Sequence, residues 1–130
     1  MVQNDKVILI VDDCPDLRDL VKETIESILS YEVLEAEDGL EALKVIKQNR
    51  IDCIISDWNM PVMDGLSLLK KIRAEARYRN MPFMMLTGEM SRGSVEAAIS
   101  SGVNDFLTKP FSTDSLCEKV DKLLGKRKVC

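Results

Sequence analysis

The sequence predicts an α/β fold, a single sheet of five parallel strands with helices packed against it. Two observations carry that reading. Five apolar runs alternate along the chain with five amphipathic ones, and strands alternating with helices imply right-handed crossovers into a parallel sheet. The runs Val7–Val11 and Cys53–Ile55 are continuously apolar and rich in β-branched residues. That is the pattern of central parallel strands covered on both faces.

The elements follow in order. The first strand is expected over Lys6–Val11. Pro15 is well placed near the first helical position, and Leu17, Leu20, Val21, Thr24, Ile25 and Ile28 stripe the helix it opens. After a second strand at Glu32–Ala36, Asp38 stands three residues before Glu41, a capping-box spacing that starts the second helix. The third strand is Asp52–Asp57, and Leu66, Leu69 and Ile72 stripe the helix behind it. The fourth, Pro82–Thr87, tolerates its proline because the proline opens it. The fourth helix, about 91–101, is short and thinly apolar (Val95, Ala98, Ile99), with Gly93 inside it and Gly102 as its stop. Val103–Leu107 is the fifth strand, and Leu116, Val120, Leu123 and Leu124 stripe a last helix ending near Gly125.

Composition bounds the function. At 130 residues the chain is one domain, able to build a core without disulfides or a structural metal. A hydrophobic content of 45% with 31% charged residues fits a soluble globular protein. The net charge of −4 speaks against nucleic-acid binding, which demands a basic face. The only basic cluster, Lys126-Arg127-Lys128, reads as a solvated end. No apolar stretch reaches bilayer length and the residues before Val7 are polar, so no membrane partner and a cytoplasmic location are expected. No repeat, linker or low-complexity tract is visible. The expectation is therefore a single monomeric domain over 1–130 with no effector domain attached.

Cys14, Cys53, Cys117 and Cys130 form no Cys-x-x-Cys pair and no histidine is present, which argues against zinc and against a disulfide framework. The missing histidine also removes serine–histidine and cysteine–histidine nucleophiles, histidine bases and any phosphohistidine carrier. A nucleophile here is expected to be a carboxylate.

Carboxylates stand where such chemistry would need them. Asp57 closes the apolar run that begins at Ile51, and Asp12-Asp13 closes the one that ends at Val11. Asp12-Asp13 alone reads more simply as a solvated turn at the positive end of a helix. Asp57 closing a buried strand must find a partner or bear desolvation. Together they put acids on two strand ends at the carboxyl edge, where open α/β sheets bind ligands. Such acids repel one another unless a cation joins them, and carboxylate oxygens with water suit Mg²⁺, which recruits phosphate oxygens. Thr87 and Lys109-Pro110, individually a strand residue and a surface turn, reach the same edge. The set matches what a transferring phosphoryl group requires.

Taken in order, Val11-Asp12-Asp13, Glu37-Asp38-Gly39 with Glu41-Ala42-Leu43, Asp57-Trp58-Asn59-Met60-Pro61, Met63-Asp64-Gly65, Thr87 and Lys109-Pro110-Phe111 resemble a two-component response-regulator receiver domain over nearly the whole chain. The segment Ser56–Pro61 and the single-domain length are most similar to stand-alone chemotaxis receivers. The resemblance implies a doubly wound, flavodoxin-like (βα)5 fold with strand order 2-1-3-4-5. It implies that Asp57 accepts a phosphoryl group from a phosphohistidine of a partner histidine kinase. Asp13, Asp57 and the backbone carbonyl of Asn59 would ligate Mg²⁺, with Asp12 acting through water. Thr87 would hydrogen-bond the phosphoryl group, Lys109 would pair with it, and the Lys109-Pro110 bond would be cis. The domain would catalyse its own phosphotransfer and dephosphorylation without being a turnover enzyme. Its signal would pass through the fourth helix, fifth strand and fifth helix to an output protein, with Thr87 and Phe106 as switch residues. Phe106 holds a position that is often Tyr in the family, so hydroxyl contacts to a partner are lost; a half-buried strand residue is the plainer reading.

Two other classes share parts of this pattern. A haloacid-dehalogenase-type phosphatase also uses an aspartyl phosphate, but wants a second acid two residues on, where this chain has Asn59. A flavodoxin-type FMN binder needs a Ser/Thr/Gly-rich first loop, whereas Asp12-Asp13-Cys14-Pro15-Asp16 would repel a phosphate without a metal. Within the receiver reading, the output stays open among a chemotaxis partner, a phosphorelay shuttle and a docking regulator. A receiver cut from a longer regulator would look the same.

Overall fold

The computed structural model describes residues 6–88 and 91–125. Its elements are β1 Val7–Val11, α1 Pro15–Thr24, β2 Glu32–Ala36, α2 Gly39–Gln48, β3 Cys53–Asp57, α3 Gly65–Ala74, β4 Phe83–Thr87, α4 Arg92–Ser100, β5 Asp105–Thr108 and α5 Thr113–Leu123. The five strands form one parallel sheet in the order β2-β1-β3-β4-β5, as expected. β1, β3 and β4 are buried at every position, which is why they carry the longest apolar runs.

Alternation along each strand divides the core in two. Leu9, Ile54, Phe83 and Met85 face Ala42, Ile46, Leu68, Leu69 and Ile72 of α2 and α3. Ile8, Ile10, Cys53, Ile55 and Leu86 face Val21 and Ile25 on one side and Leu116 and Val120 of α5 on the other. Burying one such side chain contributes roughly 1.5–3 kcal/mol, so the two clusters account for the fold without covalent links. Pro15 does open α1, and Asp38 does cap α2, its Oδ1 accepting the Glu41 N–H at 2.8 Å.

Some boundaries differ from the sequence reading. β1, β3 and β4 begin one residue later, at Val7, Cys53 and Phe83. Asp52 is diverted because its carboxylate accepts the Val7 N–H at 2.8 Å and pairs with Arg50 at 2.7 Å. β5 runs Asp105–Thr108 instead of Val103–Leu107. Val103 is used to end α4, donating its N–H to Ala98, and the Asn104 side chain accepts the Phe83 N–H at 2.8 Å and a guanidinium N–H of Arg73 at 2.9 Å.

The α1 stripe is narrower than expected, with Leu20 and Ile28 exposed. After Thr24 the helix widens into a π turn over Ile25–Leu29, closed by Ser30 at φ 62°. The wider turn carries Ile28 off the buried line. On α4 Ile99 is 60% exposed and only Ala98 is buried. On α3 Leu68 is fully buried as well as Leu69 and Ile72.

Candidate functional site

β1 and β3 lie side by side, with Val11 opposite Ser56, so the residues that follow emerge together. Asp12 extends β1 by donating its N–H to Ala36 of β2 at 3.1 Å. Asp57 ends β3, and the next amide, Trp58 N–H, reaches both Leu86 at 3.1 Å and the Asp57 Oδ1 at 2.9 Å. Lys109 is placed by its own N–H, donated to the Thr87 carbonyl at 2.9 Å, with the Lys109-Pro110 bond cis.

The carboxylates of Asp12, Asp13 and Asp57 converge, an oxygen of each lying within 4.8 Å of the others. Asp12 and Asp57 are buried and Asp13 is exposed, so the cluster opens to solvent on one side. The Lys109 ammonium bridges the two buried acids, 3.0 Å from Asp57 Oδ1 and 3.4 Å from Asp12 Oδ2. Burial opposes the Lys109 charge, yet the Asp57 hydrogen bond and the charges of Asp12 and Asp57 outweigh it and raise its pKa. Burial likewise raises the Asp12 pKa, and the nearby Asp57 charge adds to that, against the Cys14 N–H and Lys109. Two buried acids thus share one cation, and carboxylate oxygens are left over on the open side. A hard divalent ion that takes oxygen ligands and keeps waters fits this donor set.

The other expected residues fall as follows. Thr87 is buried at the end of β4 and lines a pocket of about 130 Å³ with Trp58, Asn59, Ser91 and Ser94. Asn59 is exposed, two residues beyond Asp57. Phe106 is half-buried on β5, opposite Met85, and packs toward the α2–α3 side, apart from the carboxylates. Ser56 is fully buried and gives its hydroxyl to the Asp57 carbonyl at 2.9 Å.

Two residues had no assigned role in the sequence reading. Arg18 donates Nη1 to the Asp12 carbonyl at 2.6 Å and Nε to Glu35 at 3.0 Å, pinning the end of β1 to that of β2. Only its place one turn into the helix behind Asp12-Asp13 hinted at this. Gly65 donates its N–H to Trp58 at 2.8 Å, and a Cβ there would collide with the Asp57 carbonyl oxygen and stand 2.8 Å from Met85 Sδ. The motif Met63-Asp64-Gly65 was its only signal.

Comparison with known proteins agrees with this geometry. The family model for the response regulator receiver domain matches residues 8–121. A chemotaxis protein CheY homolog of Campylobacter jejuni is 42% identical over 119 residues, covering 91% of this chain and 92% of its own. The crystal structure of Vibrio cholerae chemotaxis protein CheY4 superposes with a TM-score of 0.88 at 36% identity, over 93% of this chain and 100% of its own. A receiver domain of a Pseudomonas aeruginosa sensor histidine kinase, with a magnesium ion coordinated in its active-site cleft, gives 0.85 at 32% identity over 94% and 99%. Fold, strand-end carboxylates and relatives lead to one conclusion: the chain belongs to the response-regulator receiver family.

Proposed function

We propose that Asp57 is the phosphoacceptor of this receiver and that its phosphorylation by a partner histidine kinase alters binding of an output protein. The observation that carries it is the Lys109 ammonium held between Asp12 and Asp57, beside the open carboxylate cluster. An Asp57 carboxylate oxygen attacks the phosphorus of the donor, and the bond from phosphorus to the donor's imidazole nitrogen breaks with its electron pair leaving on nitrogen. Lys109 stays protonated at neutral pH and pairs with a phosphoryl oxygen, and the Thr87 hydroxyl donates to another. Asp13, Asp57 and the Asn59 carbonyl would hold Mg²⁺, with Asp12 acting through water, and that ion would offset the charge on the phosphoryl oxygens. The bound Mg²⁺ of the Pseudomonas relative supports that ligand class.

Autocatalysed transfer and hydrolysis, a single receiver unit over the chain, a cytoplasmic setting and a monomer complete the reading. Among the described residues no helix is long and apolar enough to cross a membrane. Acetyl phosphate with Mg²⁺ should give one acid-stable, hydroxylamine-labile phosphoryl adduct, mapped by mass spectrometry to Asp57 and absent from Asp57→Asn. An adduct on Ser56 or elsewhere refutes the assignment.

A further inference from the structure

We propose that the groove between α2 and α3, capped by the Val62-Met63 turn, is a docking surface for an acidic amphipathic helix of a partner protein. Val62 is the first observation. It sits at φ 70° and is 77% exposed. A β-branched residue is among the worst suited to left-handed backbone, and an apolar side chain in water gains nothing for the fold. Strain of this kind, held by a β-branched residue at an exposed turn, motivates a search for function nearby.

The groove supplies the second observation. The turn is fastened to the start of α2, since the Gly39 N–H reaches the Met63 carbonyl at 3.3 Å. Below it a groove of about 420 Å³ is lined by Leu40, Leu43, Met63 and Ala74, with Lys47, Lys71 and Glu75 among them. Leu40 is 47% exposed, so the groove has a wet apolar edge, and Val62 is the residue next to the lining Met63. Leu40, Leu43, Lys44 and Lys47 follow one another at helical spacing, which puts a second lysine along the same face of α2.

Charge identifies the occupant. The chain as a whole carries −4, yet the groove presents Lys47 and Lys71 against Glu75 alone. An apolar floor with a basic border is complementary to a helix bearing leucines on one face and carboxylates beside them. The surface lies outside the carboxylate cluster, so the proposal stands independently of phosphorylation at Asp57.

The test uses the unphosphorylated chain and two fluorescent helical peptides with identical leucine spacing, one with glutamates at the flanking positions and one with lysines. The acidic peptide should shift amide resonances of residues 40–47, 61–63 and 71–75, and bind at least tenfold more tightly than the basic one, less so at high salt. Combined Lys47→Glu and Lys71→Glu substitution should weaken it at least tenfold. Val62→Asn, which suits the left-handed turn better, should keep or raise the melting temperature while weakening binding several-fold. The proposal fails if the peptides bind equally, if shifts fall elsewhere, if charge reversal leaves affinity unchanged, or if sedimentation shows a second copy of the chain filling the groove.

Discussion

β3 and β5 end at the same edge of the sheet, yet β3 is buried at all five positions while β5 buries only Leu107. The helices that lead from β3 to β4 and from β4 to β5 differ in the same way. α3 buries Gly65, Leu68, Leu69 and Ile72, whereas α4 buries only Ala98 and leaves Ile99 60% exposed. At roughly 1.5–3 kcal/mol for each large apolar side chain, α4 is held several kcal/mol less firmly than α3. Its two ends also differ. The C-terminal end is clamped, with Gly102 at φ 96° and the Arg73 guanidinium donating to the Gly102 carbonyl at 2.9 Å and 3.1 Å. The N-terminal end, at Ser91 and Ser94, opens onto the pocket that Thr87 lines. The Asp57 side of the site is thus built on well-packed elements and the α4 side on a thinly packed one. Chemistry needs fixed geometry, and a switch needs an element that can be displaced at low cost.

The largest expected effect comes from making one substitution in both halves. Gly65 opens α3 and Gly93 is the second residue of α4, first-turn positions where alanine keeps only part of its interior advantage of about 1 kcal/mol. At Gly65 the added methyl would drive into the Asp57 carbonyl and Met85. Gly65→Ala should therefore destabilise by about 2–3 kcal/mol and slow phosphorylation by acetyl phosphate. At Gly93 nothing lies within 4 Å of the added atom, so Gly93→Ala should stabilise slightly, by at most about 0.5 kcal/mol. Urea unfolding of both variants checks the contrast. Equal effects at the two glycines would remove the claimed difference in packing.

A smaller effect, of opposite sign to most mutations, is expected within the rigid half. The folded Asp12 pKa lies above its ordinary value of 3.8. Its contribution to stability is therefore complete below that value and lost as pH rises through the raised one, so at neutral pH the ionised carboxylate is a cost. Asp12→Asn should therefore stabilise the metal-free protein near pH 7, the gain fading on acidification. Mg²⁺ should narrow or reverse the difference, because an ion bound only by the folded state stabilises it by mass action. Unfolding curves with EDTA and with Mg²⁺, from pH 4 to 8, decide this. An Asp12→Asn protein less stable than the native one in EDTA would mean that Lys109 already compensates both acids. Lys109 follows the same sign in a higher window: its pKa is raised from 10.5, so its contribution is present at neutral pH and is lost only as pH rises through that raised value.

These contrasts show where the sequence could be read and where it could not. The parallel strands and the acids that close them were legible because a carboxylate ending a buried apolar run needs a reason to be there, and Asp12 and Asp57 each end one. The chain itself carries no mark of contacts between distant residues. Asn104 leaves β5 because it is claimed by Phe83 and Arg73, from a strand and a helix far back in sequence. Ile28 reads as core until the π turn moves it. Arg18 is one more basic residue on a helix until the sheet brings the Asp12 carbonyl and Glu35 to it. The thinness of α4, by contrast, was legible, since its apolar residues are few and the central one, Ala98, is small.

The subtlest test asks whether the two halves communicate through Thr87. This residue ends the well-buried β4, lies directly before the loop into α4, and supplies the carbonyl that positions Lys109. Removing its hydroxyl leaves that carbonyl and the packing of β4 in place, so Thr87→Ala should cost no more than about 1 kcal/mol in stability. It should still accept a phosphoryl group at Asp57. What should be lost is the inward pull on the start of α4, and with it the shift between two arrangements of that helix, since a ligand that binds both equally shifts nothing. Beryllofluoride, a phosphoryl mimic, should change hydrogen exchange in the native protein across residues 91–120, by at least about threefold in α4, which corresponds to roughly 0.7 kcal/mol of local stability. In Thr87→Ala the change should shrink to the loops around Asp57. If native protection changes already stop at those loops, or if the variant propagates them undiminished, then α4 is merely loose and not the element that Thr87 moves.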